Sequence, residues 1–209
     1  MEDVFGENSK RYDEWYEKNK FAYLSELEAI GKFLPKKGKG LEIGVGTGRF
    51  AGKLGIDWGI DPSERVLRIA RERGVQVRKC SGEKLPFKKE TFDYVLSVVT
   101  LSFVESPSRV IMEAARVLKN GGRIIIGIVN RESFLGRHYL GKKGIFYKKA
   151  KLLTPKEIFD ILIESGFGDI SCLQTIFTLP SRMKKPHKVT DGFSRGGFVV
   201  IGARKHRER

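Results

Sequence analysis

The stretch that decides the fold is Gly40-Leu41-Glu42-Ile43-Gly44-Val45-Gly46-Thr47-Gly48, with Arg49 behind it. Gly40 to Ile43 reads as a short strand, and glycines at 44, 46 and 48 let the backbone turn tightly and approach a ligand to van der Waals distance. Arg49 to Leu54 leaves room only for a short helix. A bare tight turn is the plain alternative. Against it, a strand, a glycine loop and a helix in this order form a nucleotide-binding unit. A dinucleotide fingerprint needs Gly-x-Gly-x-x-Gly, and counting from Gly44 the sixth position is Arg49, which disfavours a nicotinamide enzyme.

Downstream, Asp57 to Ile60 forms a second strand and Asp61 ends it, 17 positions past Gly44. A carboxylate there can accept hydrogen bonds from both hydroxyls of a ribose. Ser63 to Arg73 has helical spacing in Val66, Leu67, Ile69 and Ala70, with Gly74 as its stop, and Val75 to Cys80 alternates like a strand. Phe92 to Val99 is the continuous apolar run of a central parallel strand, buried on both faces. Helix Pro107 to Leu118 follows, and Asn120-Gly121-Gly122 turns the chain into strand Arg123 to Val129. The rhythm then breaks: residues 130–152 are a basic, aromatic insertion of the kind that covers an active site. Thr154 to Ser165 reads as a capped helix. Asp169 to Phe177 and Gly197 to Arg204 are strands separated by the Pro- and Lys-rich connection Leu179 to Phe193, hence an antiparallel last pair. Upstream, Leu24, Leu27, Ile30 and Leu34 give an amphipathic helix from Lys20 to Leu34, closed by Pro35 and Gly38. The expected fold is α/β, Rossmann-like and doubly wound, with a mostly parallel seven-stranded sheet and an antiparallel last strand. It is one domain over residues 1–209, with a helical lid segment at 1–35.

Forty Lys and Arg against 25 Asp and Glu give a formal charge of +15. That surface attracts anions, whether nucleic acid, acidic membrane or an anionic small molecule, although Lys- and Glu-rich surfaces also serve thermostability. Cys80 and Cys172 form no disulfide framework or zinc pattern, so no metal is expected. No run approaches the ~20 apolar residues of a membrane span, and the first residues lack a signal peptide's apolar core, so a cytoplasmic location is expected.

Taken together, Glu42-x-Gly44-x-Gly46-x-Gly48, Asp61, Gly82-Glu83-x-Leu85-Pro86-Phe87, Phe92-Asp93 and Arg116-Val117-Leu118-Lys119-x-Gly121-Gly122 resemble the class I S-adenosylmethionine-dependent methyltransferases over about residues 10 to 130. The Leu-Pro-Phe and Arg-Val-Leu-Lys-x-Gly-Gly segments resemble the small-molecule branch often called type 11, which includes ubiquinone-biosynthesis-like and amine methyltransferases. The resemblance implies S-adenosylmethionine as cofactor. Gly44, Val45, Gly46 and Gly48 would form its loop, and Glu42 would hold its amino end through the loop or a water. Asp61 would take the ribose, with Pro62 and Ser63 flanking the adenine. Relatives commonly carry Asp-Ala-Glu before the Leu-Pro-Phe; this chain has Ser81-Gly82-Glu83, which puts Ser81 in the place of the adenine-binding Asp. Val98 and Thr100, at the end of the fourth strand, would complete the cofactor-binding set, and Thr100, Leu101 and Ser102 would lie beside the reacting methyl. Many relatives have His where Ser102 stands.

A base is needed only if the acceptor must lose a proton, and His138 and Tyr147 in the insertion are the candidates. Tyr12, Trp15, Tyr16 and Phe103 are candidate substrate contacts, with core or lid packing the plain alternative. Glu83, Asp93 and Lys119 read as structural or solvated rather than catalytic, and His187 and His206 as solvated tail residues. The function these readings imply is methyl transfer to a small-molecule acceptor, an amine, hydroxyl or activated carbon. The alternatives are an RNA methyltransferase, motivated by the charge, and a noncatalytic cofactor-binding module.

Overall fold

The computed structural model describes residues 4–207, apart from the side chains of Val4, Phe5, Ile145 and Tyr147. In chain order the elements are α1 (Val4–Glu7), α2 (Ser9–Lys18), α3 (Lys20–Gly31), β1 (Gly40–Ile43), α4 (Arg49–Leu54), β2 (Trp58–Asp61), α5 (Glu64–Glu72), β3 (Gln76–Lys79) and β4 (Phe92–Val98). A 3-10 turn (Thr100–Ser102), α6 (Pro107–Val117), β5 (Leu118–Val129), α7 (Phe134–Leu140), α8 (Ile145–Lys149), α9 (Pro155–Glu164), β6 (Phe167–Thr175), a second 3-10 turn (Pro180–Arg182), β7 (Thr190–Asp191) and β8 (Phe198–Lys205) complete them.

The strands form one sheet in the order β3-β2-β1-β4-β5-β8-β6-β7. The first five are parallel, and β8 lies antiparallel between β5 and β6. This is the Rossmann-like, doubly wound α/β fold, with its carboxyl strand ends gathered around the glycine loop. Burial follows the layering. All four residues of β1 are buried, as a strand covered on both faces requires. One face of the sheet packs on α2 to α5 through Tyr16, Tyr23, Ile30, Phe50 and Leu67; the other packs on α6 and α9 through Ile111, Val117, Ile158 and Leu162. Each fully buried side chain of this kind contributes about 1.5–3 kcal/mol. Thr154 and Glu157 build a reciprocal capping box that starts α9. No helix among the described residues is long and apolar enough to cross a membrane.

Three expectations change in detail. An eighth strand exists: Thr190–Asp191 pairs with Gln174 and Leu173 in the stretch expected as a plain connection. Two exposed residues leave no periodicity to detect. The Asn120-Gly121-Gly122 turn is an irregularity inside β5, where pairing jumps from Phe92–Leu118 to Tyr94–Arg123 around Gly121 at φ +74°. Finally, α3 buries a different face from the one marked by its leucines. Leu24 is 45% exposed, while Ala22, Tyr23, Ser25, Glu26, Ala29 and Ile30 point inward. The helix is oriented by its tertiary partners: the Tyr23 hydroxyl donates to the Arg49 carbonyl at 2.6 Å, and Phe33 fills the space that only a glycine at 202 leaves open.

Candidate active site

The glycine loop is held open by its own backbone. The amides of Gly44 and Val45 both donate to the Ile60 carbonyl at 2.9 Å, tying the loop to the end of β2, and Gly44, Gly46 and Gly48 sit at φ +73°, +52° and +79°. L side chains are disfavoured there. Gly44 is required twice over, because a Cβ would lie 2.2 Å from Thr100 Oγ1. Thr100 reaches that position because Val99 takes φ +60°, a strained conformation for a β-branched residue that costs on the order of 1–3 kcal/mol and concentrates at functional sites. Thr100 Oγ1 then lies 3.1 Å from the Val98 carbonyl and 3.2 Å from that of Ile43, which locks the fourth strand end to the loop. At Gly46, by contrast, a Cβ would meet nothing nearer than Tyr12, 3.9 Å away. A glycine loop of this geometry, with only the Tyr12 ring in contact at its middle member, fits the methionine end of an adenosyl cofactor.

Asp61 fastens the other half. Its Oδ2 accepts from the Gly46 amide at 3.2 Å and its Oδ1 from the Ser63 amide at 2.9 Å. Pro62 beside it is exposed and Ser63 buried. Glu42 lies beneath the loop. It is buried in β1 and accepts from the Ala51 amide at 2.9 Å, so it caps the first turn of α4 from below. Burial pushes its carboxyl well above the usual range against that hydrogen bond, and the nearby Asp61 charge pushes the same way. Ser81 and Glu83 bond each other at 2.6 Å, and Glu83 also accepts from the Ser106 amide, holding the strand-to-helix connection before α6. Gly82 lets this segment press on Ile43, with a would-be Cβ at 2.7 Å.

Asp13 is the residue that sequence reasoning missed. Its Oδ1 accepts from Thr47 Oγ1 at 2.7 Å and from Arg49 Nε at 2.9 Å, and its Oδ2 from Arg73 at 2.6 Å. Arg73 also donates to the Thr47 carbonyl, and Arg49 pairs with Glu17 at 2.7 Å. Helix α2 is thereby clamped onto the glycine loop. Burial alone would raise the Asp13 carboxyl, but the hydrogen bonds from Arg73, Arg49 and Thr47 hold it below the usual range. A signal existed: Arg49 occupies the place where a dinucleotide fingerprint has glycine, and its partner comes from α2.

The clamp carries an aromatic group with it. Tyr12 and Tyr16 share a hydroxyl–hydroxyl bond of 2.8 Å, and Tyr16 stacks edge to face on Trp15, Tyr23 and Phe50 at centroid distances of 5.1, 5.1 and 5.9 Å. Tyr12 faces Phe146 of α8 at 6.2 Å, so the insertion and the N-terminal segment meet above the loop. Desolvation raises the phenols of Tyr12 and Tyr16 above their usual range, and the Glu26 and Glu42 charges add to it.

Of the remaining candidates, Phe103 is half-buried and closes the 3-10 turn through Thr100, Val98 is buried, and Ser102 is buried with its Oγ unpartnered. The Ser102 carbonyl accepts from the Lys151 amide at 2.8 Å, fixing the end of the insertion to this turn. His138 is exposed on α7, with its ring against Tyr139, and is not brought into the cleft. The side chain of Tyr147 lies outside the described residues. His187 is corrected from a solvated residue to a structural link: its amide donates to Ser25 Oγ at 2.9 Å and its Nδ1 accepts from Phe177 N at 3.0 Å. The second missed group is Glu26, 6% exposed on the inward face of α3, which makes no hydrogen bond or ion pair to any described residue. Burial pushes its carboxyl up to about 8.

Comparison with known proteins places this geometry. A family model described as a methyltransferase domain matches residues 41–126. An uncharacterized protein of Methanocaldococcus jannaschii is 48% identical over 97% of this chain and 98% of its own length. The crystal structure of an S-adenosylmethionine-dependent methyltransferase from Thermotoga maritima, described as a possible histamine N-methyltransferase, is 47% identical with a TM-score of 0.94, covering 97% of this chain and 98% of that one. A phosphatidylethanolamine N-methyltransferase of Cereibacter sphaeroides is 37% identical over 43% of this chain and 49% of its own.

Proposed function

Because the chain belongs to the S-adenosylmethionine-dependent methyltransferases, we propose that it holds this donor on the loop 44–48 and Asp61 and methylates a small-molecule acceptor. The acceptor enters between α2, α3 and the 3-10 turn after β4. The observation that carries this reading is Asp61. Its two oxygens are already aligned by the Gly46 and Ser63 amides, at the lip of a loop whose central glycine meets only the Tyr12 ring at ordinary van der Waals distance. A carboxylate so fixed receives a ribose without reorganisation. Gly44 and Gly46 border the methionine end, Pro62 and Ser63 flank the adenine, and the Ser81-Gly82-Glu83 segment closes its far side.

The donor supplies a methyl group already activated on a sulfonium, so the protein's tasks are to align the nucleophile and exclude water. The turn at Val99 and Thr100 does the first by fixing the strand end against Gly44. The clamp of Asp13 does the second by keeping α2 and its tyrosines over the loop.

Calorimetric titration with S-adenosylhomocysteine tests this. Asp61→Ala removes a charged acceptor from two amides and from the ribose, and affinity should fall about a hundredfold or more. Unchanged affinity in Asp61→Ala would assign the donor to another part of the molecule.

A further inference from the structure

Folded proteins leave few polar groups buried without a partner, and a carboxyl is the costliest group to leave so. The buried side-chain atoms with no partner among the described residues are Ser97 Oγ and Ser102 Oγ, and Glu26 stands beside them as a carboxyl on a residue more than nine-tenths buried. It is 6% exposed, and no hydrogen bond or ion pair from the described residues satisfies it. Its charge acts on Tyr12 and Tyr16 of α2 and on Tyr23, one turn away on its own helix, while the Arg49 guanidinium lies over the Tyr16 ring at 5.3 Å. Glu42 of β1 acts on the same three tyrosines. No cation among the described residues offsets the burial of Glu26, since Arg49 and Arg73 are committed to Asp13. The same tyrosines lie against the donor loop, through Tyr12 at Gly46 and the Tyr23 hydroxyl at Arg49.

We propose that Glu26 is the acceptor-binding carboxyl of this enzyme, receiving the ammonium group of a small amine among Tyr12, Tyr16 and Tyr23 and taking its proton before methylation. This rests on the methyltransferase reading and names its substrate class. On three chemical grounds an amine is favoured over the anion that the +15 surface suggests. An ammonium brings the hydrogen-bond donors that Glu26 lacks, whereas an anion would meet like charge from Glu26, Glu42 and Asp61. Tyrosine rings attract cations through their faces, most strongly where water is excluded. A carboxyl that titrates near 8 takes a proton from an ammonium far more readily than an ordinary one at about 4.3.

The step balances. The ammonium passes one proton to the Glu26 carboxylate and becomes a neutral amine. The nitrogen lone pair then forms the bond to the methyl carbon, the electrons of the broken sulfur–carbon bond remain on sulfur, and the positive charge moves to the methylated nitrogen. Glu26 stays protonated when the product leaves, which is its resting state at neutral pH, and the one proton of the reaction goes to solvent when the next ammonium binds.

Calorimetry separates this proposal from the reading beneath it. S-adenosylhomocysteine is titrated first into wild type and Glu26→Gln, then histamine, ethanolamine, propionate and catechol into each complex. Glu26→Gln is near-isosteric with the protonated carboxyl, so its cofactor affinity reports that the fold is intact and should match wild type within about twofold. At least one of the two amines should bind wild type and weaken about tenfold or more in Glu26→Gln. At neutral pH that binding should release a proton in wild type, measured in buffers of different ionisation enthalpy, and none in the variant. Equal amine binding by the variant, binding of propionate or catechol in preference to both amines, or no amine binding to a complex that holds the cofactor product would each overturn the proposal. Failure of wild type to bind the cofactor product would overturn the methyltransferase site instead.

Discussion

The two walls of the proposed cleft, one for the donor and one for the acceptor, are built on opposite terms. On the donor wall the groups are already bonded: Asp61 to two amides, Glu42 to the start of α4, Thr100 to a strand end, and Asp13 to three partners. On the proposed acceptor wall Ser102 Oγ is buried with no partner among the described residues, and Glu26, 6% exposed, makes no hydrogen bond or ion pair to a described residue. A donor common to a whole family is met by a rigid cradle. An acceptor particular to one enzyme is met by polar groups whose partners arrive with it.

The largest effect that can break this contrast comes from the clamp. Asp13→Ala leaves Arg49 and Arg73 facing each other without their shared carboxylate, and breaking a pair of this kind costs about 3 kcal/mol or more when it is well buried. Because these side chains keep 13–32% of their exposure, solvent moderates the loss to about 2–3 kcal/mol. Denaturant unfolding measures it. The depressed carboxyl gives stability that is fully present above its unfolded value and lost as pH falls through the folded one, so the gap between wild type and Asp13→Ala should close in acid. A variant as stable as wild type would mean that α2 is held by its aromatic contacts alone.

The acceptor wall predicts the opposite sign. Glu26 binds its proton more tightly folded than unfolded, so its contribution is present below the unfolded value of 4.5 and is lost as pH rises through about 8. Each tenfold difference in proton affinity between the two states is worth about 1.36 kcal/mol. Glu26→Gln should therefore be more stable than wild type by roughly 3 kcal/mol or more at pH 8, and the advantage should vanish towards pH 4.5. Thermal unfolding of both proteins across that range reads it. A constant difference between them would mean that Glu26 does not change its charge there.

This division also explains what was legible in the sequence. The loop 44–48, Asp61 and the alternation of strands with helices could be read because backbone geometry admits few residues there. Only glycine tolerates the contacts at Gly44, and the carboxylate at the end of β2 follows at a fixed chain distance. The clamp joins Asp13 to Arg73 across 60 positions, and no local pattern announces such a pair. Glu26 was hidden more thoroughly. The leucines at 24 and 27 gave α3 a plausible apolar stripe, while the packed structure turns Glu26 inward and leaves Leu24 in solvent. Periodicity predicts a buried face only where the inward residues are themselves apolar, and here one of them is a carboxylic acid.

Ser102 gives the smallest effect and the finest separation of the two walls. Its Oγ is buried without a hydrogen bond, while its carbonyl is satisfied by the Lys151 amide, so the hydroxyl adds nothing visible to the fold. Removing an unsatisfied hydroxyl relieves its desolvation, and Ser102→Ala should be as stable as wild type or more stable by up to about 1 kcal/mol. A hydroxyl kept against that gradient has a use elsewhere, and its turn begins at Thr100, which touches the donor loop. If the acceptor supplies the missing partner, Ser102→Ala should raise KM severalfold with kcat little changed, the signature of lost binding that is equal in ground and transition states. A fall in kcat at constant KM would instead place the hydroxyl at the reacting nitrogen. A variant that loses stability would show that the hydroxyl bonds within the fold after all, and would leave Glu26 as the acceptor wall's one unpartnered group among the described residues.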